Sequence, residues 1–285
     1  MSALAAKQIL VTGATGTVGS AVVARLALQG ARVRAMARRA GSIDGAETVV
    51  ADLADAGSLA RAVDGCDVVV HCAAEVSRDA AACRAGNVDG VRHLVTALGA
   101  ARRARLVHVS TVSVYDWRRG TDFDEESPQW PPADVAVDPY GVTKAEGERL
   151  VERAGVPWVI LRPVMVLSMH PRSYWGPKVR ERARASEQPV MPLAAVPYVH
   201  VDDLASAIVL AATSERAVGR AYNVIDGEGD AAEYVGAVYA SIGRTPPPPN
   251  PNAPRFRIAG ARLRDELGWA PADRWRAFID ALAAR

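Results

Sequence analysis

The sequence predicts an α/β fold, a doubly wound parallel sheet carrying a smaller C-terminal lobe, and three observations predict it. An apolar run at residues 9–11 gives way to three spaced glycines, Gly13, Gly16 and Gly19, and then to an amphipathic stretch. Short β-forming runs alternate with helix-period segments as far as about residue 165, the pattern of a parallel sheet covered on both faces. The alternation lapses from residue 168 to 196 and resumes at Val199. We therefore expect residues 1–165 to form the sheet domain, completed by about 199–225, and residues 166–198 and 226–285 to form the smaller lobe.

Composition sets limits on function. The 285 residues are 49% hydrophobic and 23% charged, enough for a substantial core. A formal net charge of +2, with arginines interspersed among acids, leaves no long basic tract of the kind that binds nucleic acid. No stretch approaches the roughly 20 apolar residues of a membrane span, and residues 1–7 lead into the first strand without a signal-peptide core. The expectation is a soluble, cytoplasmic protein with neither nucleic acid nor membrane as partner. Cys66, Cys72 and Cys83 make neither an even disulfide set nor a metal-ligand spacing, and the five histidines show no ligand pattern. Free thiols and no metal site are expected.

In chain order, residues 9–11 are β-formers, and Val18, Val22, Val23 and Leu26 recur at helical spacing, so the glycines fall where a strand turns into a helix. With Thr15, Thr17 and Val18 they form a candidate pyrophosphate cradle, because backbone can approach the anion there and a helix N-terminus offers unpaired N–H groups. An ordinary tight βα turn is the plain alternative. Residues 31–37 are the second strand. Dinucleotide-binding sheets commonly end this strand on an acid that bonds the ribose 2′-hydroxyl; here Arg38 and Arg39 follow. A guanidinium can grip a 2′-phosphate, which favours NADP(H) over NAD(H), unless the pair is simply solvated. Residues 47–51 and 67–72 are the third and fourth strands. Asp52, Leu53, Ala73 and Ala74 lie beyond their carboxyl ends, where open sheets bind ligands. Asp52 could accept from an adenine amino group or cap the helix that starts near Gly57.

Residues 87–101 read as a helix opened by Asn87, and residues 105–110 as a fifth strand in which His108 is a buried strand residue rather than a catalyst. Hydroxyls follow at Ser110, Thr111 and Ser113. After a Pro-rich acidic loop, Pro139 opens a helix to about Glu152, which puts Tyr140 and Lys144 one turn apart on one face. The lysine is informative because 31 of the 34 basic residues are arginine. An ammonium beside a phenol can lower its pKa and still bond a ribose, a role a guanidinium fork fits poorly. Residues 158–161 are a sixth strand running into Arg162 and Pro163, and residues 221–225 a further one. A helix near 233–242, a stiff proline stretch at 246–249 and a helical terminus anchored by Trp269 and Trp275 complete the chain.

Taken with the glycine motif, the Tyr140/Lys144 pair and a Ser/Thr after the fifth strand, the sequence resembles the short-chain dehydrogenase/reductase superfamily, in its extended branch, the NAD-dependent epimerase/dehydratase group. Asp52-Leu53, Ala73-Ala74, Asn87, Val114-Tyr115, Leu161-Arg162-Pro163, residues 199–204 and residues 267–271 match further pieces of that pattern. The resemblance implies a Rossmann-type sheet with a substrate-binding smaller lobe. It implies a catalytic set of Tyr140 as acid/base, Lys144 lowering its pKa and holding the nicotinamide ribose, Thr111 orienting the reacting oxygen (with Ser110 as second choice), and Asn87. Pro163 and Val166 would line the nicotinamide, and a homodimer is implied by many relatives. Val112-Ser113 stand where dehydratases of nucleotide sugars carry Asp-Glu, which argues against that reaction.

The leading expectation is an NADPH-preferring reductase of a carbonyl, or the reverse alcohol oxidation, on a small or natural-product-like substrate. A nucleotide-sugar epimerase with retained NAD is the alternative, and a non-catalytic NADP(H) sensor the alternative of another class. Ser113, Tyr174, Trp175, Met191 and Tyr198 could line an apolar substrate pocket or serve as packing residues.

Overall fold

The computed structural model describes residues 4–101, 104–185, 191 and 193–284. Its strands are β1 (Gln8–Thr12), β2 (Arg32–Ala37), β3 (Glu47–Val50), β4 (Val68–His71), β5 (Arg105–Val109), β6 (Asp122–Phe123), β7 (Trp158–Pro163), β8 (Met165–Leu167), β9 (Ala195–His200), β10 (Arg220–Val224), β11 (Gly227–Asp230) and β12 (Arg257–Ile258). The helices are α1 (Thr17–Leu28), α2 (Ala56–Val63), α3 (Ala80–Arg84), α4 (Gly90–Ala101), α5 (Pro139–Glu152), α6 (Pro177–Ala185), α7 (Val201–Thr213), α8 (Ala231–Ser241), α9 (Ala261–Leu267) and α10 (Trp275–Ala283).

Seven strands form one parallel sheet in the order β10-β7-β5-β4-β1-β2-β3. Alternate residues of its central strands face opposite layers, as the period of two requires. Ile9, Val11, Val68, Val70, Val107 and Val159 pack with Val22 and Leu26 of α1 and with Leu204 and Ile208 of α7. Leu10, Val69, Leu106 and Ile160 pack on the other side with Leu59 of α2, Leu94 and Leu98 of α4 and Val151 of α5. This is the doubly wound Rossmann-type arrangement, and its strand order reverses between β1 and β4, where such sheets open a crevice.

A second sheet, β11-β9-β8, supports the rest of the chain. Leu167, Val179, Val196, Tyr234, Val238 and Phe278 form its core with α6, α8 and α10. The main sheet is therefore completed by β10 alone. The strand expected to resume it at Val199 begins earlier, at Ala195, and pairs with β8 and β11 instead. Two helices had no counterpart in the sequence reading, α3 and α6. A π-helical turn, Ala85–Asp89, joins α3 to α4, so the helix expected from Asn87 starts in regular form only at Gly90. Asp55, rather than Asp52, caps α2, its carboxylate accepting from Gly57 N at 2.9 Å.

Candidate active site

The site begins where β1 turns into α1. Gly13 adopts φ +65°, and a Cβ there would lie 2.7 Å from Ala73 N, across the point where the strand order reverses. At Gly19 a Cβ would lie 2.2 Å from Gly13 O, so only glycine lets α1 sit this close to the turn. Gly16 is the N-cap of α1, with no side-chain cap and no acid in the first turn. The helix end thus presents backbone donors and positive dipole to an anion. Arg172, from the segment between β8 and α6, reaches the same turn, and its Nη1 donates to Thr15 O (3.2 Å) and Thr15 Oγ1 (3.1 Å).

From this turn a cleft of about 610 Å³ runs along the carboxyl ends of β4, β5 and β7 to the smaller lobe. Gly13, Gly16, Thr17, Val18, Gly19, Ala74, Thr111, Ser113, Tyr140, Pro163, Val166, Tyr174 and Trp175, all expected from the sequence, line it. Cys72, Val76, Val112, Met165, Arg172 and Lys178 also line it and were not anticipated as site residues. Among the described residues no carboxylate lines it. At the outer end the Arg182 guanidinium lies 3.9 Å from the centroid of the Tyr174 ring and 5.0 Å from that of Trp175, and the two rings meet edge to face. Val76 and Tyr174, both lining the cleft, are exposed at 62% and 50%, so it presents an apolar and an aromatic side chain alongside Arg172 and Lys178.

Asp138 caps α5, accepting from Gly141 N at 2.9 Å, and Pro139 occupies the first turn. Tyr140 faces the cleft. Burial raises its phenol to about 12, against the opposing hydrogen bond from Thr111. The Thr111 hydroxyl also caps the 3-10 turn that follows β5, accepting from Ser113 N at 3.1 Å and donating to Ser113 Oγ at 3.2 Å. Lys144, one turn on, is 1% exposed. Its Nζ donates to Val109 O at 2.8 Å and lies 3.3 Å from His108 Nε2. Burial lowers it to about 8, with the nearby Glu148 carboxylate opposing. The ammonium is bonded to β5 rather than to the phenol, so the lowered Tyr140 pKa that the resemblance implied is absent in this arrangement.

Other expected site residues lie outside the cleft. Asn87 is 2% exposed and fully engaged: its Oδ1 accepts from Glu75 N (2.8 Å), and its Nδ2 donates to Glu75 O (2.9 Å) and Thr143 Oγ1 (3.1 Å). It is a strut between the loop after β4 and α5, not a group free to touch a reactant. Met191 and Tyr198 belong to the core of the smaller lobe, Tyr198 packing on the Trp275 ring at 4.9 Å, so neither lines the cleft. Arg38 and Arg39 are exposed just past β2. Asp52 Oδ1 accepts from Ala54 N at 2.9 Å, Leu53 O is 2.8 Å from His93 Nδ1, and Ala73 N donates to Thr12 Oγ1 at 3.3 Å. The three cysteines are free thiols. Among the described residues there is no cluster of metal-ligating side chains and no helix long and apolar enough to cross a membrane.

A Stigmatella aurantiaca protein, 4-hydroxy-2-methyl-3-oxo-4-farnesyl-3,4-dihydroquinoline-1-oxide ketoreductase, is 33% identical over 174 residues, 58% of this chain and 50% of that protein. A Streptomyces protein, 3-diazoavenalumate denitrifying reductase, is 30% identical over 303 residues, 94% of this chain and 98% of that one. The chain thus spans half the length of the first relative and nearly all of the second. A solved short-chain dehydrogenase/reductase superfamily protein from Agrobacterium tumefaciens, with bound NAD, is 26% identical with a TM-score of 0.79, covering 97% of this chain and 96% of that one. Residues 9–224, from the first strand through the last strand of the main sheet, match the NAD dependent epimerase/dehydratase family. Glycine turn, seven-stranded sheet and family match coincide over the same residues, and the chain belongs to that family, within the short-chain dehydrogenase/reductase superfamily.

Proposed function

We propose that this protein is an NADPH-preferring reductase that reduces a carbonyl on a substrate with an apolar or aromatic body. The observation that carries the reading is the single cleft joining the uncapped N-terminus of α1 to the Tyr140 phenol and ending at Val76, Tyr174 and Trp175. A dinucleotide fits the residues present: its diphosphate would take the glycine turn and Arg172, and its nicotinamide end would lie against Pro163 and Val166. Arg38 would hold a 2′-phosphate. The two relatives named as reductases support the reading for this chain, as do the Val76 and Tyr174 side chains lining the cleft.

When bound, the reduced nicotinamide supplies a hydride to the carbonyl carbon. Tyr140 Oη supplies the proton that the carbonyl oxygen then needs, and its high pKa keeps that proton in place until charge develops on the substrate. Thr111, whose hydroxyl lines the same cleft as the phenol, would orient the same oxygen. Lys144, buried one turn from Tyr140 on α5, would hold the ribose of the dinucleotide. Asn87 keeps α5 and the loop after β4 in register.

The test is to denature the purified protein and identify any dinucleotide released, then titrate the native protein with NADPH and NADH and screen carbonyl substrates. Tighter binding of NADPH and turnover that vanishes in Tyr140→Phe, with unchanged NADPH affinity, are expected. Tightly retained NAD with no net consumption of reduced dinucleotide would replace this reading with an epimerase. Turnover retained in Tyr140→Phe would remove the phenol from the mechanism.

A further inference from the structure

Beneath Lys144 the sheet carries a row of polar side chains where its layer is otherwise apolar. Thr12 of β1, His71 of β4 and His108 of β5 are directly paired across adjacent strands. They continue the face that two residues earlier is Leu10, Val69 and Leu106, and each is 0% exposed. The contacts run in series. Thr12 Oγ1 and His71 Nδ1 are 2.7 Å apart, the two imidazoles stack at 5.3 Å with 23° between their planes, and His108 Nε2 is 3.3 Å from Lys144 Nζ. His71 Nε2 and His108 Nδ1 have no hydrogen-bond partner among the described residues. Burying such groups costs stability, so a sheet that needed only packing here would be better served by Val or Phe.

An ammonium can only donate. If Lys144 is charged, His108 must therefore accept at Nε2 and carry its proton at Nδ1. The coupling is mutual. Burial pushes His71 down to about 3 and His108 well below its usual range, and in each case the Lys144 charge adds to the effect. The other titratable groups acting on the ammonium are Glu148, one turn on along α5, and the Cys72 thiol after β4. Burial holds that thiol neutral, at about 12. Glu148 is committed to Arg162 and Gln129. Direct solvation of the buried charge thus falls to Val109 O and His108 Nε2.

We propose that His108, backed by the His71 stack, is a positioning residue for Lys144: as a neutral acceptor of fixed tautomer it keeps the buried ammonium protonated and held against β5. The use made of Lys144 rests on the reductase reading; the measurement below needs no turnover and stands or falls separately from it.

The chain has three lysines, so protein labelled with ¹³C at lysine Cε gives a spectrum in which Lys144 is assigned by the signal lost in Lys144→Arg. In His108→Phe, which keeps a planar ring on His71 but no acceptor, the Lys144 titration midpoint should fall by about one pH unit, the size expected for losing a hydrogen bond to a charged group. His108→Gln, which restores an acceptor, should recover most of that shift. An unchanged midpoint in His108→Phe, or an equal fall in both variants, overturns the proposal. Should His108→Phe fail to fold, ¹⁵N spectra of the native histidines decide: a neutral Nδ1–H tautomer for His108 at pH 7 is expected, and an Nε2–H tautomer or an imidazolium overturns it.

Discussion

Replacing Glu148 by Gln tests whether α5 is locked to the sheet by a buried charge. Glu148 and Arg162 side chains are 0% and 4% exposed. The carboxylate accepts from Arg162 Nε at 3.1 Å, from Arg162 Nη2 at 2.7 Å and from Gln129 Nε2 at 2.6 Å. In Glu148→Gln one acceptor oxygen becomes an amide nitrogen that confronts these donors, and the negative charge is lost, so Arg162 keeps one amide oxygen, Tyr115 Oη (3.1 Å) and Glu125 O (2.9 Å) as neutral acceptors only. Removing one partner of a buried ion pair costs about 3–5 kcal/mol, because the other charge stays desolvated. For a chain of this length that corresponds to a fall in melting temperature of roughly 6–10 °C. Urea unfolding at pH 7.5 should show a lower midpoint with an unchanged slope. The double variant Glu148→Leu with Arg162→Met, which leaves no charge behind, should recover most of the loss. A loss below about 1 kcal/mol in Glu148→Gln, or a double variant as unstable as the two singles combined, would refute the reasoning.

Three further outcomes are expected. Arg38→Asp should weaken NADPH binding by roughly 10- to 100-fold, the range of a charge-assisted contact, and leave NADH binding no worse; an unchanged preference in fluorescence titration would reduce Arg38 to a surface charge. Gly19→Ala, whose Cβ would lie 2.2 Å from Gly13 O, should destabilise the fold by about 1–3 kcal/mol and weaken dinucleotide binding at least tenfold; wild-type values for both would mean the turn is slack. Lys144 binds its proton less tightly folded (about 8) than at its usual 10.5, so between those pH values the unfolded chain holds more protons and stability should rise with pH, by on the order of 3 kcal/mol in all. The gain is read as the difference between wild type and Lys144→Met in urea midpoints from pH 7.5 to 10.5, and a flat difference would contradict it.

Much of this molecule is legible in its sequence, and what is missed shares a cause. The glycine turn and α5 are written locally: glycines at a strand-to-helix boundary and an Asp-Pro start leave little to tertiary context, and α5 runs over the residues expected. Helix α6 is missed because only Val179 and Ala183 of its nine residues are buried, which is too thin a stripe for periodicity to register. Five-residue α3 is shorter than two turns, although Asp79 capping Ala81 and Ala82 was a usable signal. Met191 and Tyr198 were candidates for a pocket because apolar residues in an irregular segment suit a pocket or a core equally well, and β9 puts Tyr198 in the core. Lys178 could have been found by the argument that singled out Lys144, since lysine is as scarce at one position as at the other. The contact between Lys144 and His108 depends on strand register, which no local pattern encodes.

The closing of the main sheet by β10 has a consequence for the order in which the protein can be made. Residues 220–224 pair with residues 159–163, and the apolar face of α1 packs against α7. A nascent chain that has just delivered β7 therefore carries an open strand edge and an uncovered first helix. At ribosomal speeds, on the order of 5–20 residues per second, that condition lasts several seconds. Strand edges and bare apolar faces invite association, so the dinucleotide half is not a module that can be cut out after β7 and expected to stay monomeric. Truncation near residue 165 should yield aggregates, and a chain stalled there should be a client for chaperones.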